Sequence, residues 1–291
     1  KSSEILSGSL NFFETEHGGD KQDTPSPIEI PAKGKPLLDL EKGRLKLVPN
    51  VSLNCEAHSN RPLTGSILAG YFRHLQCERF LRLHFVPVHH QPPSPPPPDK
   101  EAADDRINKG RQFEETVMRH LQNNGAAMVR IPERDDNGNF RSMERRHRET
   151  IAGLNKLLEM PAGESIGPLY LSQGVLREST LFQDVDGIGI PDLIRLSREK
   201  NTYVLTVGEI KNSQAPRVHH KWQTAFYTFL LKKMIASQKI SGSVAISNRG
   251  FLLRIKRGPA QEKTGQMVEH EFELHPYLAA FPALIRNLDA G

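Results

Sequence analysis

The chain has 291 residues, 37% hydrophobic and 25% charged, enough apolar mass for one large or two small globular domains, which excludes a disordered tail and a disulfide miniprotein. Thirty-nine basic residues against 34 acidic ones give a net charge of +5, which by itself names no partner. Two cysteines, Cys55 and Cys77, are too few for a disulfide framework, a structural zinc site or an iron–sulfur cluster held by cysteines alone. A reducing, cytoplasmic or nucleoid-associated setting is expected. No apolar run approaches the length of about 18 residues that a membrane span needs, and no membrane role is expected. Residues 1–30 lack a basic-then-apolar signal pattern. The first residue, Lys1, leaves room for a processed product or a piece of a longer polypeptide.

Residues 1–40 are rich in Ser, Gly, Pro and acids without a sustained apolar period, and the segment 1–62 reads as a partly flexible arm. A helix follows from Leu63, capped by Thr64 or Ser66, with Ile67, Leu68, Tyr71, Phe72, Leu75, Phe80, Leu81 and Leu83 at helical spacing. The run from Gln91 to Pro98 favours polyproline conformation and closes a helix-and-linker segment, 63–99, as a spacer or an SH3-type ligand.

The remainder, 100–291, reads as one domain. A helix over 101–124 sets Ile107, Phe113, Val117, Met118 and Leu121 on one side and stops near Asn123-Asn124-Gly125. A strand over 127–131 precedes a charged, then amphipathic stretch from Glu133 to Met160, read as a solvated helix. The period then changes, with β-type runs over 169–176, 187–196 and 203–210 and a five-residue hairpin loop at 197–201. A helix over 216–237 carries Val218, Trp222, Phe226, Phe229 and Leu230 on one stripe. Strands over 243–247, 250–256 and 269–274 and a terminal helix complete the chain. Helices interleaved with strands predict an α/β fold whose central mixed sheet is flanked by helices.

The chemistry concentrates in two strands. Asp192 is expected near the middle of one, and Glu209 and Lys211, two apart, project from one face of the next. Antiparallel pairing across the hairpin brings Asp192 beside Glu209. Two neighbouring carboxylates on apolar strands repel and resist burial unless a divalent cation lies between them. Oxygen-only donors suit Mg2+ or Mn2+ together with a substrate phosphate. An ammonium at Lys211 can hold water, assist its deprotonation or neutralise charge on a phosphate. Alternating charges on a strand also describe an ordinary solvent face, and Asp184 and Asp186 are rival ligands to Asp192.

Pro191-Asp192, sixteen residues, then Glu209-Ile210-Lys211 resembles the signature of the PD-(D/E)XK nuclease superfamily. Gln223 and Tyr227, one turn apart on the following helix, make the pattern similar to the RecB-like branch. Gly110-Arg111-Gln112-Phe113-Glu114 resembles that branch's earlier helix motif, and the run from Leu63 to Leu81 resembles the opening helix of AddB-type and CRISPR-adaptation nuclease domains. The resemblance covers about Leu63 to Leu253. It implies a restriction-endonuclease-like core, with Asp192, Glu209, Glu114 and the Ile210 backbone carbonyl as metal ligands; Glu115 is the near-equal alternative to Glu114. It implies Lys211, Glu209 and Asp192 as catalytic residues, and Gln223 and Tyr227 lining the site and contacting the substrate strand. In the relatives the cysteine matching Cys77 joins three later ones in an iron–sulfur cluster; no cysteine follows Cys77 here, so no cluster is expected.

From Asn201 to Arg257 ten lysines and arginines stand against one acid, Glu209, an excess suited to nucleic-acid phosphates. The expected activity is Mg2+- or Mn2+-dependent hydrolysis of DNA phosphodiesters. The resemblance, being to end-processing enzymes, implies single-stranded or end-bearing DNA as the substrate; 5′-phosphates are the expected products, in repair, recombination or antiviral defence. The competing reading is a non-catalytic nuclease-like module that binds DNA or scaffolds a helicase or defence complex. A restriction-type endonuclease with a recognition loop in 130–183 is the third. His219 and His220, on different helix faces, leave at most one for the site.

Overall fold

The computed structural model describes residues 38–41, 44–47, 61–74, 80, 84, 99–160, 168–182, 185–199, 202–213, 216–237, 244–256 and 266–289. The architecture is α/β, a central mixed sheet flanked by helices. The expectations for most of residues 1–60, the proline run, Cys55, Cys77 and Asp184 lie outside the described residues.

The elements in chain order are β1 (Leu38–Glu41), β2 (Arg44–Leu47), β3 (Leu63–Thr64), α1 (Gly65–Arg73), α2 (Lys100–Asn123), β4 (Ala127–Arg130), α3 (Met143–Glu159), β5 (Leu169–Ser172), β6 (Leu176–Phe182), β7 (Val185–Gly189), β8 (Leu193–Glu199), β9 (Thr202–Ile210), α4 (Val218–Ser237), β10 (Val244–Ile246), β11 (Arg249–Lys256), β12 (Gln266–Glu273) and α5 (His275–Asp289). The main sheet runs β12-β11-β9-β8-β5-β4, with β10 also pairing β9; β3-β7-β6 form a second sheet and β1-β2 a hairpin. In the main sheet β4 is parallel to β5, and β9 is parallel to both β10 and β11. The β5–β8, β8–β9 and β11–β12 pairs are antiparallel.

Local chemistry sets the helix ends. The Thr64 hydroxyl accepts from the Ile67 amide and Ser142 from the Arg145 amide, satisfying first-turn donors. At the end of α2, Gly125 takes φ +83° while its amide donates to the Gln122 carbonyl and the Ala126 amide to that of Leu121. Both bonds satisfy carbonyls orphaned at the helix end. Helix α4 is buried on nearly every side, so it is a core helix rather than an amphipathic one. It packs against α1, α5 and both sheets, and its buried Thr224 and Thr228 hydroxyls donate to the carbonyls four residues back.

Alternation along β8 and β9 divides the core. Ile194, Leu196, Leu205 and Val207 join Trp222, Phe226 and Leu230 on the α4 side, whereas Leu193 and Ile210 meet Val117, Met118 and Leu121 of α2. Phe251 lies opposite Gly208 on β9, and a side chain at that glycine would overlap its ring.

Several boundaries differ from the sequence expectation. The run 169–176 is two strands separated by a turn at Gln173-Gly174, and 187–196 is divided between two sheets. Unbroken apolar character concealed both breaks, because it reports burial rather than strand partner. Asp192 therefore stands at the bend before β8, not in mid-strand. The β8–β9 pairing continues to Glu199↔Thr202, leaving a two-residue connection instead of a five-residue loop. The charged stretch 133–142 is not helical, and α3 begins only at Met143. Ile107 and Val218, assigned to apolar stripes, are 55% and 59% exposed because they lie toward helix ends beyond the core. No helix of the described residues is long and apolar enough to cross a membrane.

Two glycines give opposite expectations. Gly208→Ala, driven into the Phe251 ring, should destabilise by about 1–3 kcal/mol, whereas Gly110→Ala, with nothing within 4 Å of the new carbon, should stabilise α2 by about 0.5–1 kcal/mol. Urea denaturation of the two variants checks both signs.

Candidate active site

The β8–β9 register continues by one pair beyond Leu193↔Gly208, which sets Asp192 opposite Glu209. Asp192 is held at each of its polar groups. Its Oδ2 accepts from the Ile210 amide at 2.8 Å, and its own amide donates to Glu209 Oε1 at 3.4 Å. Its carbonyl accepts from the Gln173 amide at 3.3 Å. Lys211, one residue past β9 on the Glu209 face, reaches both acids, with Nζ 2.6 Å from Glu209 Oε2 and 3.5 Å from Asp192 Oδ2. The three side chains thus converge at one end of the ladder.

Glu209 is 1% exposed. Burial and the Asp192 charge push its carboxyl well above the usual range, against the pull of Lys211. For Lys211 burial acts to lower the pKa, but Glu209 and Asp192 overcome it and keep the amine firmly protonated. The ammonium is therefore a charge stabiliser and hydrogen-bond donor, not a base.

Glu114, on the half-buried face of α2, is pushed up to about 7 by burial and by Asp192, while Lys211, Arg111 and Arg130 oppose the shift. Glu115, the alternative, is exposed and pairs with Arg130 at 3.3 Å. Glu114 lies within electrostatic reach of Asp192 and Lys211. Gly110 has open space around it, so packing does not account for that glycine. Asp186, a rival to Asp192, is instead engaged by Arg177 at 2.6 Å and lies on β7 of the second sheet.

Helix α4 brings the next two residues. Gln223 Nε2 donates to the Tyr227 hydroxyl at 2.9 Å. The Tyr227 phenol is pushed up by burial and by the charge of Glu209, which places it within electrostatic reach of the acids. Its ring fits only because Gly65 of α1 and Gly189 of β7 lack side chains; a carbon on Gly189 would lie 2.6 Å from the ring. These two glycines were absent from the sequence-based list of site residues. Their signal was present in Thr64-Gly65-Ser66 and Gly187-Ile188-Gly189, but only the fold shows what approaches them.

His219 and His220 were expected on different faces. Both are buried in the first turn of α4, with ring centroids 4.3 Å apart. Burial, then Arg73, Arg217 and Lys211, depress His219 to about 4; burial, then His219 and Lys211, depress His220 to about 3. Both are neutral imidazoles that sense the ammonium of the site.

The basic excess over 201–257 is partly neutralised. Arg249 pairs with Glu271 and Glu273 at 3.1 Å each. These partners come from β12, beyond the counted window and brought alongside by the β11–β12 pairing.

Asp192, Glu209 and Glu114 supply oxygen donors only, and burial, then the Asp192 charge, raises the Glu114 and Glu209 carboxyls; oxygen donors are the kind a hard divalent cation takes. Among the described residues no three His, Cys, Asp or Glu side chains form a group that could hold a metal ion.

The neutral histidines set a pH expectation. The His219 pKa is about 4 in the folded chain against an ordinary 6.5, so the unfolded chain takes up the proton first and stability falls as pH drops from 6.5 toward 4. His219→Gln should make that fall shallower in thermal melts recorded between pH 7 and 4.5.

No family model matches this chain, and no curated protein matches it. Among solved structures it is similar to SSO0001 at 14% identity and a TM-score of 0.23, over 47% of this chain and 58% of that one. It is also similar to a "Putative exonuclease" from Eubacterium rectale at 8% identity and a TM-score of 0.30, over 79% of this chain and 80% of that one. The chain thus spans less than two thirds of the length of SSO0001, and superpositions this loose bear on neither fold nor activity.

Proposed function

We propose that the protein is a metal-dependent deoxyribonuclease of the RecB-like PD-(D/E)XK type, hydrolysing phosphodiesters of single-stranded or end-bearing DNA. The observation that carries this reading is the meeting of Asp192, Glu209 and Lys211 at the end of one hairpin, with the Gln223–Tyr227 pair alongside. A solvent-facing row of charges would not be buried or share hydrogen bonds in this way.

Asp192, Glu209, Glu114 and the Ile210 carbonyl would hold Mg2+ or Mn2+. When bound there, the cation supplies polarisation of a phosphate and a lowered pKa for a water. Lys211, kept protonated by its acidic neighbours, donates to the phosphate and offsets the negative charge that grows on it during attack. Tyr227, a neutral phenol accepting from Gln223, keeps a hydroxyl proton to orient the substrate strand. Arg73 and Arg217, exposed beside the neutral histidines, add backbone-neutralising charge. Binding should accordingly weaken as salt rises. Cleavage in repair, recombination or defence, alone or with a helicase, is the setting this chemistry serves.

A second reading, a non-catalytic nuclease-like module, is favoured by one observation: Lys211 itself pairs with both acids. Incubating linear and circular DNA with Mg2+, Mn2+ or EDTA separates the two readings. Cation-dependent cleavage that Lys211→Ala reduces by at least about 100-fold, with DNA affinity in EDTA unchanged, supports the enzyme. Binding without cleavage under every cation supports the module.

A further inference from the structure

Gln173 is the one non-glycine residue at positive φ among the described residues, at +57°. A long side chain gains nothing local from that conformation, so the surrounding structure must impose it. The next pair beyond Ser172↔Leu193 in the β5–β8 ladder is Gln173 with Asp192. At that step β5 leaves the ladder, yet the Gln173 amide still donates to the Asp192 carbonyl at 3.3 Å.

Helix α3 clamps this turn. Arg146, 3% exposed, donates from Nη2 to the Gln173 carbonyl at 3.0 Å. The Thr150 hydroxyl accepts from the Val175 amide at 2.8 Å, and His147 Nδ1 lies 3.0 Å from the Val175 carbonyl. Gly174, between them, has no room for a side chain against Leu171 and Thr150. Burying a guanidinium here is expensive, and its Nε finds no hydrogen-bond partner among the described residues. Glu133 and Glu149 supply its compensating charge. An arginine this poorly served as a core residue, aimed at the carbonyl of a strained turn, points to a positioning task.

We propose that Arg146 is a positioning residue for the active site: by gripping the Gln173 carbonyl it holds the turn whose amide fixes the Asp192 backbone, and so aims the Asp192 carboxylate at the cation. The proposal rests on the cation reading above. It assigns to α3 the role of an outer support for the metal ligands. Such supports, when removed, typically weaken metal affinity by about 10–100-fold.

Calorimetric titration of the full chain with Mn2+, beside thermal melts, tests it. Arg146→Met should weaken Mn2+ binding at least about tenfold, and Arg146→Lys, which keeps a donor, should recover most of the loss. Arg146→Lys also serves if the methionine variant does not fold, and should then fall between wild type and Asp192→Asn. Leu157→Ala, a cavity on the same helix, should lower the melting temperature and leave Mn2+ affinity unchanged. Wild-type affinity in the Arg146 variants, or an equal loss in Leu157→Ala, would overturn the positioning role while leaving the cation site standing. A wild-type chain that binds no Mn2+ would overturn the cation reading and this proposal with it.

Discussion

Two carboxylates and one ammonium are forced together where the β8–β9 ladder ends, and the rest of the structure is arranged around tolerating that contact. Each group is expensive to take out of water, and the attraction of Lys211 for Glu209 and Asp192 offsets only part of the repulsion and desolvation. Ionisable groups packed together in this way do not by themselves stabilise a fold. The apolar layers on either side, Leu205, Val207, Phe226 and Leu230 toward α4 and Val117, Leu193, Ile210 and Phe251 toward α2, must supply the stability that holds them.

The support comes from three directions, each a different kind of contact. Pairing of β8 with β9 gives Asp192 the Ile210 amide and gives Glu209 the Asp192 amide. Helix α4 lies close enough to β7 and α1 for Tyr227 to sit over Gly189 and Gly65, which brings the phenol within electrostatic reach of Glu209. Helix α3 reaches Asp192 only indirectly, through Arg146 and the turn at Gln173. A carboxylate with so many fixed neighbours has little freedom to turn away from its partners, which is the preorganisation that a charged site requires.

Electrostatics also explain why a site rich in nitrogen bases carries few extra positive charges. His219 and His220 are neutral because burial and the cations Arg73, Arg217 and Lys211 disfavour a proton on either ring. Arg249, part of an apparent polyanion-binding excess in the linear chain, is instead held by acids of β12.

Much of this was legible in the order of residues. The order of residues puts Asp192 and Glu209 on the two strands of one hairpin, and the separation of Glu209 from Lys211 puts them on one face by the two-residue period; the register that sets Asp192 opposite Glu209 came only with the tighter, two-residue connection. Helix limits at Thr64 and Gly125 followed from capping chemistry, which is local. Strand breaks at Gln173 and at Pro191-Asp192 were not legible, since an apolar run looks the same whether it stays in one sheet or passes to another. The half-burial of Glu114 beside an exposed Glu115, the seat of Tyr227 on Gly65 and Gly189, and the grip of Arg146 on Gln173 were decided only when distant segments packed. Their partners lie 27 to 162 residues apart or on separate elements, and no local period records which side chain will face which. Sequence by itself determined the chemical groups and their spacing along each strand; tertiary structure decided which of them are buried, and burial is what turns a pair of acids and a lysine into a coupled site.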